Sequence, residues 1–184
     1  MIFIIAGTSH TGKTLLAQRL LEKLHFPYLS LDHLKMGLIR SGMTDLTPMD
    51  DDKMTDFLFP IAAEMIKTAI ENNQHMIVEG CYVPAEWQKA FPADYLPHIF
   101  SLCLVMTERH IREHFAEIAS HASVIEQRLD DSGLTADDLI ADNLRNLKAW
   151  QEQQQPVVLI DGDYASAVNA ALDACCTAWN NQTK

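Results

Sequence analysis

The sequence predicts a doubly wound, three-layer α/β domain built on a parallel sheet. Three observations carry that expectation. Short apolar runs alternate with helical patterns along the chain, and runs without a polar face must be covered on both sides. The first run passes through a glycine-bounded turn straight into a helix, the pattern of a strand–turn–helix unit. No repeat, low-complexity tract or linker-like stretch divides the 184 residues, a length that suits one domain.

The strand candidates are Ile2–Ala6, Tyr28–Leu31, His75–Glu79, Ile99–Met106 and Pro156–Ile160, each bounded by turn or cap residues. The first helix, Lys13 to Leu24, follows the glycine turn. Thr47-Pro48-Met49-Asp50 reads as a capping box with proline at the first helical position. In the helix it opens, Met54, Phe57, Leu58, Ile61, Met65 and Ile66 recur at three- and four-residue spacing as an apolar stripe. Pro60 interrupts that stripe and cannot donate to the carbonyl of Asp56, so a kink or break is expected there, and Asn72-Asn73 ends the helix. Thr107 caps a helix from His110 to Ala119, and Thr135-Ala136-Asp137-Asp138 opens another that runs to about Gln153. The last helix spans Tyr164 to Trp179, with Val168, Leu172, Cys175 and Trp179 on one face. The expected order is βαβααβαβααβα, wound by right-handed crossovers.

Composition narrows the function classes. Hydrophobic residues make up 48% of the chain, enough for a sizeable core, and the net charge is -11. An acidic surface argues against nucleic acid, whose phosphates need clustered Lys and Arg, and against an anionic membrane surface. No segment approaches the ~20 apolar residues of a membrane span. The run MIFIIAG lacks a basic flank and is too short for a signal peptide, so a cytoplasmic protein is expected, as a monomer or homodimer. Cys81, Cys103, Cys175 and Cys176 show no C-x-x-C spacing and are expected as reduced thiols.

The chemistry concentrates in the first turn. Gly7-Thr8-Ser9-His10-Thr11-Gly12-Lys13-Thr14 matches G-x-x-x-x-G-K-[ST] in full, after an apolar strand and before an amphipathic helix. The two glycines permit torsions that turn successive N–H groups inward as a nest for phosphate oxygens. The helix that follows aims its positive end at the same place. Lys13 is expected to reach the β- and γ-phosphates of ATP, and Thr14 to offer its hydroxyl to Mg²⁺.

With that loop and this element order, the chain resembles the P-loop small-molecule kinases: nucleoside monophosphate kinases, shikimate and gluconate kinases, and antibiotic phosphotransferases. The resemblance covers nearly the whole chain by element order, with the phosphate loop as its one strong motif. It implies a P-loop NTPase fold with a five-stranded parallel sheet in the order 2-3-1-4-5 and a helical lid. It implies a single domain over residues 1–184, with acceptor-binding helices at about 32–72 and the lid at about 107–133. The activity implied is ATP-dependent phosphoryl transfer, with Mg²⁺, to a hydroxyl of a small and anionic metabolite.

Other residues then become candidates. Asp32 follows the second strand, where strand ends line the ligand crevice. It can orient or deprotonate the acceptor hydroxyl, or simply cap a helix starting at His33. Lys35 and Arg40 on the same segment can hold an anionic acceptor, or face solvent. Glu79-Gly80 ends the third strand, where the acid can hold a Mg²⁺ water or a substrate hydroxyl; the string is similar to the "EG" segment of 2-phosphoglycerate-kinase-like proteins. Nucleoside monophosphate kinases usually carry Asp-Gly and then Arg there, so Glu-Gly-Cys-Tyr-Val argues against a nucleotide acceptor. Arg109, Arg112 and Arg128 fall in the implied lid, whose arginines would neutralise the transferring phosphoryl group; Arg112 and Arg128 are the preferred pair, against a reading as i,i+4 surface partners of nearby acids. Cys81 and His10 lie near the implied site, with no nucleophilic part for Cys81. The resemblance also places the loop Asp161-Gly162-Asp163-Tyr164 beside the adenine, and Asp163 is a plausible cap for the last helix.

Three alternatives remain. The first is a nucleoside monophosphate kinase. The second is a nucleotide-dependent switch with slow hydrolysis, although no N-K-x-D signature is present and no D-x-x-G follows the third strand. The third reads His110-Ile111-Arg112-Glu113-His114 as the H-x-x-E-H of zinc enzymes, with only three fixed positions and no evident third ligand. The acidic runs Asp50-Asp51-Asp52, Asp130-Asp131 and Asp137-Asp138 read as helix starts.

Overall fold

The structure is a computed structural model that describes residues 1–120 and 134–182. The implied lid residues 121–133, with Arg128, Asp130 and Asp131, lie outside the described residues.

Five strands form one parallel sheet: β1 (Ile2–Gly7), β2 (Tyr28–Ser30), β3 (Met76–Gly80), β4 (Ile99–Met106) and β5 (Val157–Ile160), in the order β2-β3-β1-β4-β5. The helices are α1 (Lys13–Leu24), α2 (Leu31–Arg40), α3 (Asp51–Glu71), α4 (Glu108–Ser120), α5 (Ala136–Glu152) and α6 (Tyr164–Gln182). Every residue of β1 is buried, because β3 and β4 flank it and helices cover both faces. The period of two divides the core. Ile2, Ile4 and Ala6 pack with Leu58, Ala62 and Ile66 of α3, whereas Phe3 and Ile5 pack with Leu16 and Leu20 of α1 and Val168 of α6. The same alternation sets Glu79 on the face of Ile77, beneath α1, and Gly80 on the face of Val78.

Several elements differ from expectation. No α-helix lies between β3 and β4; that connection holds two 3₁₀ turns, Trp87–Ala90 and Leu96–His98. Pro84, Pro92 and Pro97 break the stretch too often for an α-helix to propagate. α3 runs unbroken through Pro60. A proline inside a helix costs about 3 kcal/mol, but Leu58, Phe59, Ala62, Ala63 and Ile66 are buried around it, and each large apolar side chain buried there returns about 1.5–3 kcal/mol. The buried face of α3 is also rotated from the expected stripe. Ala62, Ala63 and Ala69 are buried while Met65 is exposed, since small residues let the helix approach the sheet closely. The capping box forms as a turn ahead of α3: the Thr47 amide and hydroxyl donate to Asp50 Oδ2 at 2.9 and 2.8 Å, and the helix starts at Asp51. α2 starts at Leu31 with Ser30 as its N-cap residue, so Asp32 is a first-turn residue and not the cap. Thr107, Thr135 and Asp163 cap as expected, accepting from the amides of His110, Asp138 and Ala165. Among the described residues no helix is long and apolar enough to cross a membrane.

Candidate nucleotide and acceptor site

The carboxyl ends of the parallel strands β1, β2 and β3 lie side by side at one edge of the sheet, where such folds open their ligand crevice, and the turn of residues 7–14 follows β1 there. Gly7, His10 and Gly12 have φ of 149°, 67° and 86°, so the backbone of the loop curls through conformations that L side chains rarely adopt. The carbonyl of Thr8 braces the turn, accepting from Thr11 Oγ1 at 2.9 Å and from Lys13 Nζ at 2.7 Å. α1 then begins with no side-chain cap and no acid in its first turn. Its leading amides have no capping side chain, in contrast to α5, where Thr135 caps and Asp137 and Asp138 occupy the first turn.

Lys13 is 4% exposed. Burial alone penalises its ammonium, but Cys81, Glu79 and Asp32 surround it and more than offset that cost, so its pKa is raised. Strand parity explains the acid closest to the loop: Glu79 projects beneath α1, is 1% exposed, and accepts from Thr14 Oγ1 at 3.3 Å. Thr14 and Glu79, 65 residues apart, therefore form one pair of hard oxygen groups beside a buried cation. That donor chemistry suits Mg²⁺, and the curled amides with the open helix start suit a polyphosphate.

Asp32 stands in the first turn of α2 with its carboxylate in the electrostatic field of Lys13. It lies 3.6 Å from Lys35 Nζ, which donates to Tyr82 Oη at 2.5 Å and sits 4.9 Å from the centre of the Tyr82 ring. Ser9 Oγ is 3.8 Å from Cys81 Sγ, which places that thiol at the rim of the loop. Gly80 admits the start of α2: a Cβ there would meet Leu31 Cβ at 2.7 Å. Asp32, Lys35, Glu79, Thr14 and Lys13 are thus brought together. Arg40 is not among them. It is exposed at the far end of α2, about 12 Å along the axis from Asp32 by helical rise.

The lid candidates that are described make surface pairs. Arg112 Nε donates to Glu108 at 2.9 Å and its Nη1 lies 3.2 Å from Asp137, tying α4 to α5. Arg109 pairs with Asp161 at 2.8 Å, and Thr107 Oγ1 donates to the same carboxylate at 2.8 Å. His110 and His114 have ring centres 4.7 Å apart, and among the described residues no group of three His, Cys, Asp or Glu is placed to hold a metal ion.

Two site residues were missed in the sequence. Tyr82 follows Glu79 by three positions, close enough to the strand end for the crevice rule to have flagged it. Tyr164 stood in the loop expected near the adenine, but only the fold shows its ring against Gly12.

No family model and no curated protein matches the chain. Solved structures do. A gluconokinase from Sinorhizobium meliloti 1021 is 16% identical, with 99% of this chain and 97% of that one covered and a TM-score of 0.54. A shikimate kinase from Bacteroides thetaiotaomicron is 17% identical, with 95% and 98% covered and a TM-score of 0.56. A deoxyadenosine kinase from M. mycoides is 12% identical, with 96% and 100% covered and a TM-score of 0.57. At such identities the likeness speaks for architecture, and with the strand order β2-β3-β1-β4-β5 the chain has the P-loop small-molecule kinase fold.

Proposed function

We propose that the protein transfers the γ-phosphoryl group of ATP to a hydroxyl of a small anionic metabolite. The observation that carries this reading is the buried Lys13 ammonium, folded into a curled phosphate loop with the Thr14–Glu79 pair and Asp32 around it. Such a cation has no structural need to be there; an apolar side chain would cost less to bury.

In this mechanism the amides of residues 7–14 bind the phosphates. Lys13 exchanges the Thr8 carbonyl for phosphate oxygens and stabilises charge on the transferring group. Thr14 and, through water, Glu79 would hold Mg²⁺, which would neutralise charge on the phosphates. Asp32 orients the acceptor hydroxyl and takes its proton. The acceptor oxygen bonds to the γ-phosphorus as the bond to the β-phosphate oxygen breaks, and ADP leaves. Lys35 receives the acceptor's anionic group, sharing its ammonium with Tyr82, and Gly80 borders the acceptor side; Arg40, at the far end of α2, takes no part. Arg112 and Arg128 serve the lid, which for Arg112 requires leaving Glu108 and Asp137.

The test is a screen with γ-labelled ATP and Mg²⁺ over sugar acids, hydroxylated carboxylates, nucleosides and nucleotides. A labelled acid supports this reading. A labelled nucleotide supports the nucleoside monophosphate kinase alternative. No labelled acceptor, with slow hydrolysis alone, supports the switch.

A further inference from the structure

Tyr164 opens α6, directly after the β5 turn, and its ring is half-buried against the α1-side core. Its hydroxyl meets the phosphate loop. A Cβ built on Gly12 would lie 1.8 Å from Tyr164 Oη and 2.9 Å from Cζ. Adding one C–C bond to the shorter distance puts Oη within about 3.3 Å of the Gly12 Cα. The phenol therefore occupies the space that a side chain at position 12 would fill, one residue before Lys13.

Side-chain hydrogen bonds fix the start of α6 and link it to α1. Asp163 caps the helix through the Ala165 amide at 3.2 Å and also accepts from Ser166 Oγ. Arg19 Nη1 donates to Asn169 Oδ1 at 2.9 Å, pinning α1 to α6 one turn further on. Burial raises the Tyr164 pKa, with Arg19 and Lys13 opposing, so the hydroxyl keeps its proton and remains a donor. Yet among the described residues nothing accepts from it. A half-buried phenol whose hydroxyl meets the turn of residues 7–14 and spends no bond on the described residues points to a ligand oxygen.

We infer that the Tyr164 hydroxyl donates a hydrogen bond to the phosphate chain of the nucleotide bound in the loop. The side chain thus does two things. Its hydroxyl and ring edge fill the space beside Gly12, whose positive φ already favours glycine. Its hydroxyl adds one donor to those of the main chain. This rests on the nucleotide reading of the loop.

The test is calorimetric binding of MgADP and of magnesium pyrophosphate to the wild-type chain and to Tyr164→Phe, with thermal melting of both without ligand. Phe keeps the ring and removes only the donor, so the melting temperature should hold. Losing a hydrogen bond to a charged acceptor should weaken both ligands about tenfold or more. Unchanged affinity for MgADP overturns the inference and leaves the kinase reading standing. Weakening with MgADP but not with pyrophosphate also overturns it, because the hydroxyl then reads ribose or base. Failure of the wild-type chain to bind either ligand at millimolar concentration removes both the inference and the reading it rests on. Should the Phe variant melt early, both chains are titrated at a temperature below both transitions, and equal affinity there overturns the inference.

Discussion

Thr14 Oγ1 and Glu79 Oε2 stand 3.3 Å apart, one from the start of α1 and the other from the end of β3. β1 and β3 pair in register with Ile5 opposite Glu79, so the carboxylate lies directly beside the strand that feeds the phosphate loop. If this pair holds the metal, Glu79→Gln keeps the shape and removes the charge. We expect about a 10–100-fold rise in the Mg²⁺ concentration needed for half-maximal turnover, with far-ultraviolet circular dichroism unchanged. A magnesium titration of activity at saturating ATP reads it, and an unshifted curve removes Glu79 from the metal site.

Lys13 donates to the Thr8 carbonyl in a nearly dry setting. Lys13→Ala removes the cation at the transferring group and should lower kcat by about 10²–10³-fold or more, the scale for losing one preorganised electrostatic stabiliser. The fold should persist with a lowered melting temperature, because the change is confined to one turn but takes the cation away from buried Glu79. Steady-state kinetics paired with a melting curve checks both halves, and unchanged turnover would remove the mechanism.

Asp32 and Lys35 lie 3.6 Å apart, and the proposed mechanism gives them different work. Asp32→Asn should lower kcat by about 10²–10⁴-fold, the usual scale of general-base catalysis, with little change in the KM for ATP. Lys35→Met should mainly raise the acceptor KM while ATP affinity stays constant. The split between kcat and KM, measured on the acceptor found in the label screen, separates the two roles; the same kinetic effect from both variants would count against it.

Asp50 accepts from the Thr47 amide, the Thr47 hydroxyl and Lys53, and these bonds hold its pKa down at about 2. A carboxylate depressed by folding stabilises the native state above its unfolded pKa, near 3.8, and loses that contribution as pH falls toward 2. The Thr47–Asp50 turn should therefore let go only in that acid window. A carbon-detected NMR titration of Asp50 should show a midpoint near 2, which Thr47→Ala should raise; a midpoint at the ordinary carboxylate value contradicts the turn.

Pro60 is exposed inside α3 and carries no amide hydrogen for the ladder. Pro60→Ala should restore a helical bond and stabilise the protein by about 2–2.5 kcal/mol, the ~3 kcal/mol helix cost less the unfolded-state entropy of roughly 0.4–1 kcal/mol that proline removes. At roughly 2–4 °C per kcal/mol for a chain of this size, the melting temperature should rise by several degrees. A fall in melting temperature would show that α3 is shaped around its proline.

The turn from Gly7 to Thr14 was legible because it is local: a strand, a glycine-bounded turn and a helix start follow one another directly along the chain. Strand parallelism was legible for a similar reason, since apolar runs without a polar face can only be covered twice. Helix ends marked by Thr107, Thr135 and Asp163 followed from short-range capping bonds.

What lay beyond reach was set by contacts between distant segments. The rotation of α3 depends on how closely Ala62 and Ala63 approach the sheet, and its continuity through Pro60 on the packing around it. Period two placed an acid at the end of β3, but only the order β2-β3-β1 set Glu79 against Thr14. Lys35 was visible as a cation, yet its engagement by Tyr82 and Asp32 came from a strand end and a helix start 47 residues apart meeting in one crevice. Tyr164 and Gly12 meet because α1 and α6 pack side by side, a proximity that no spacing along the chain encodes.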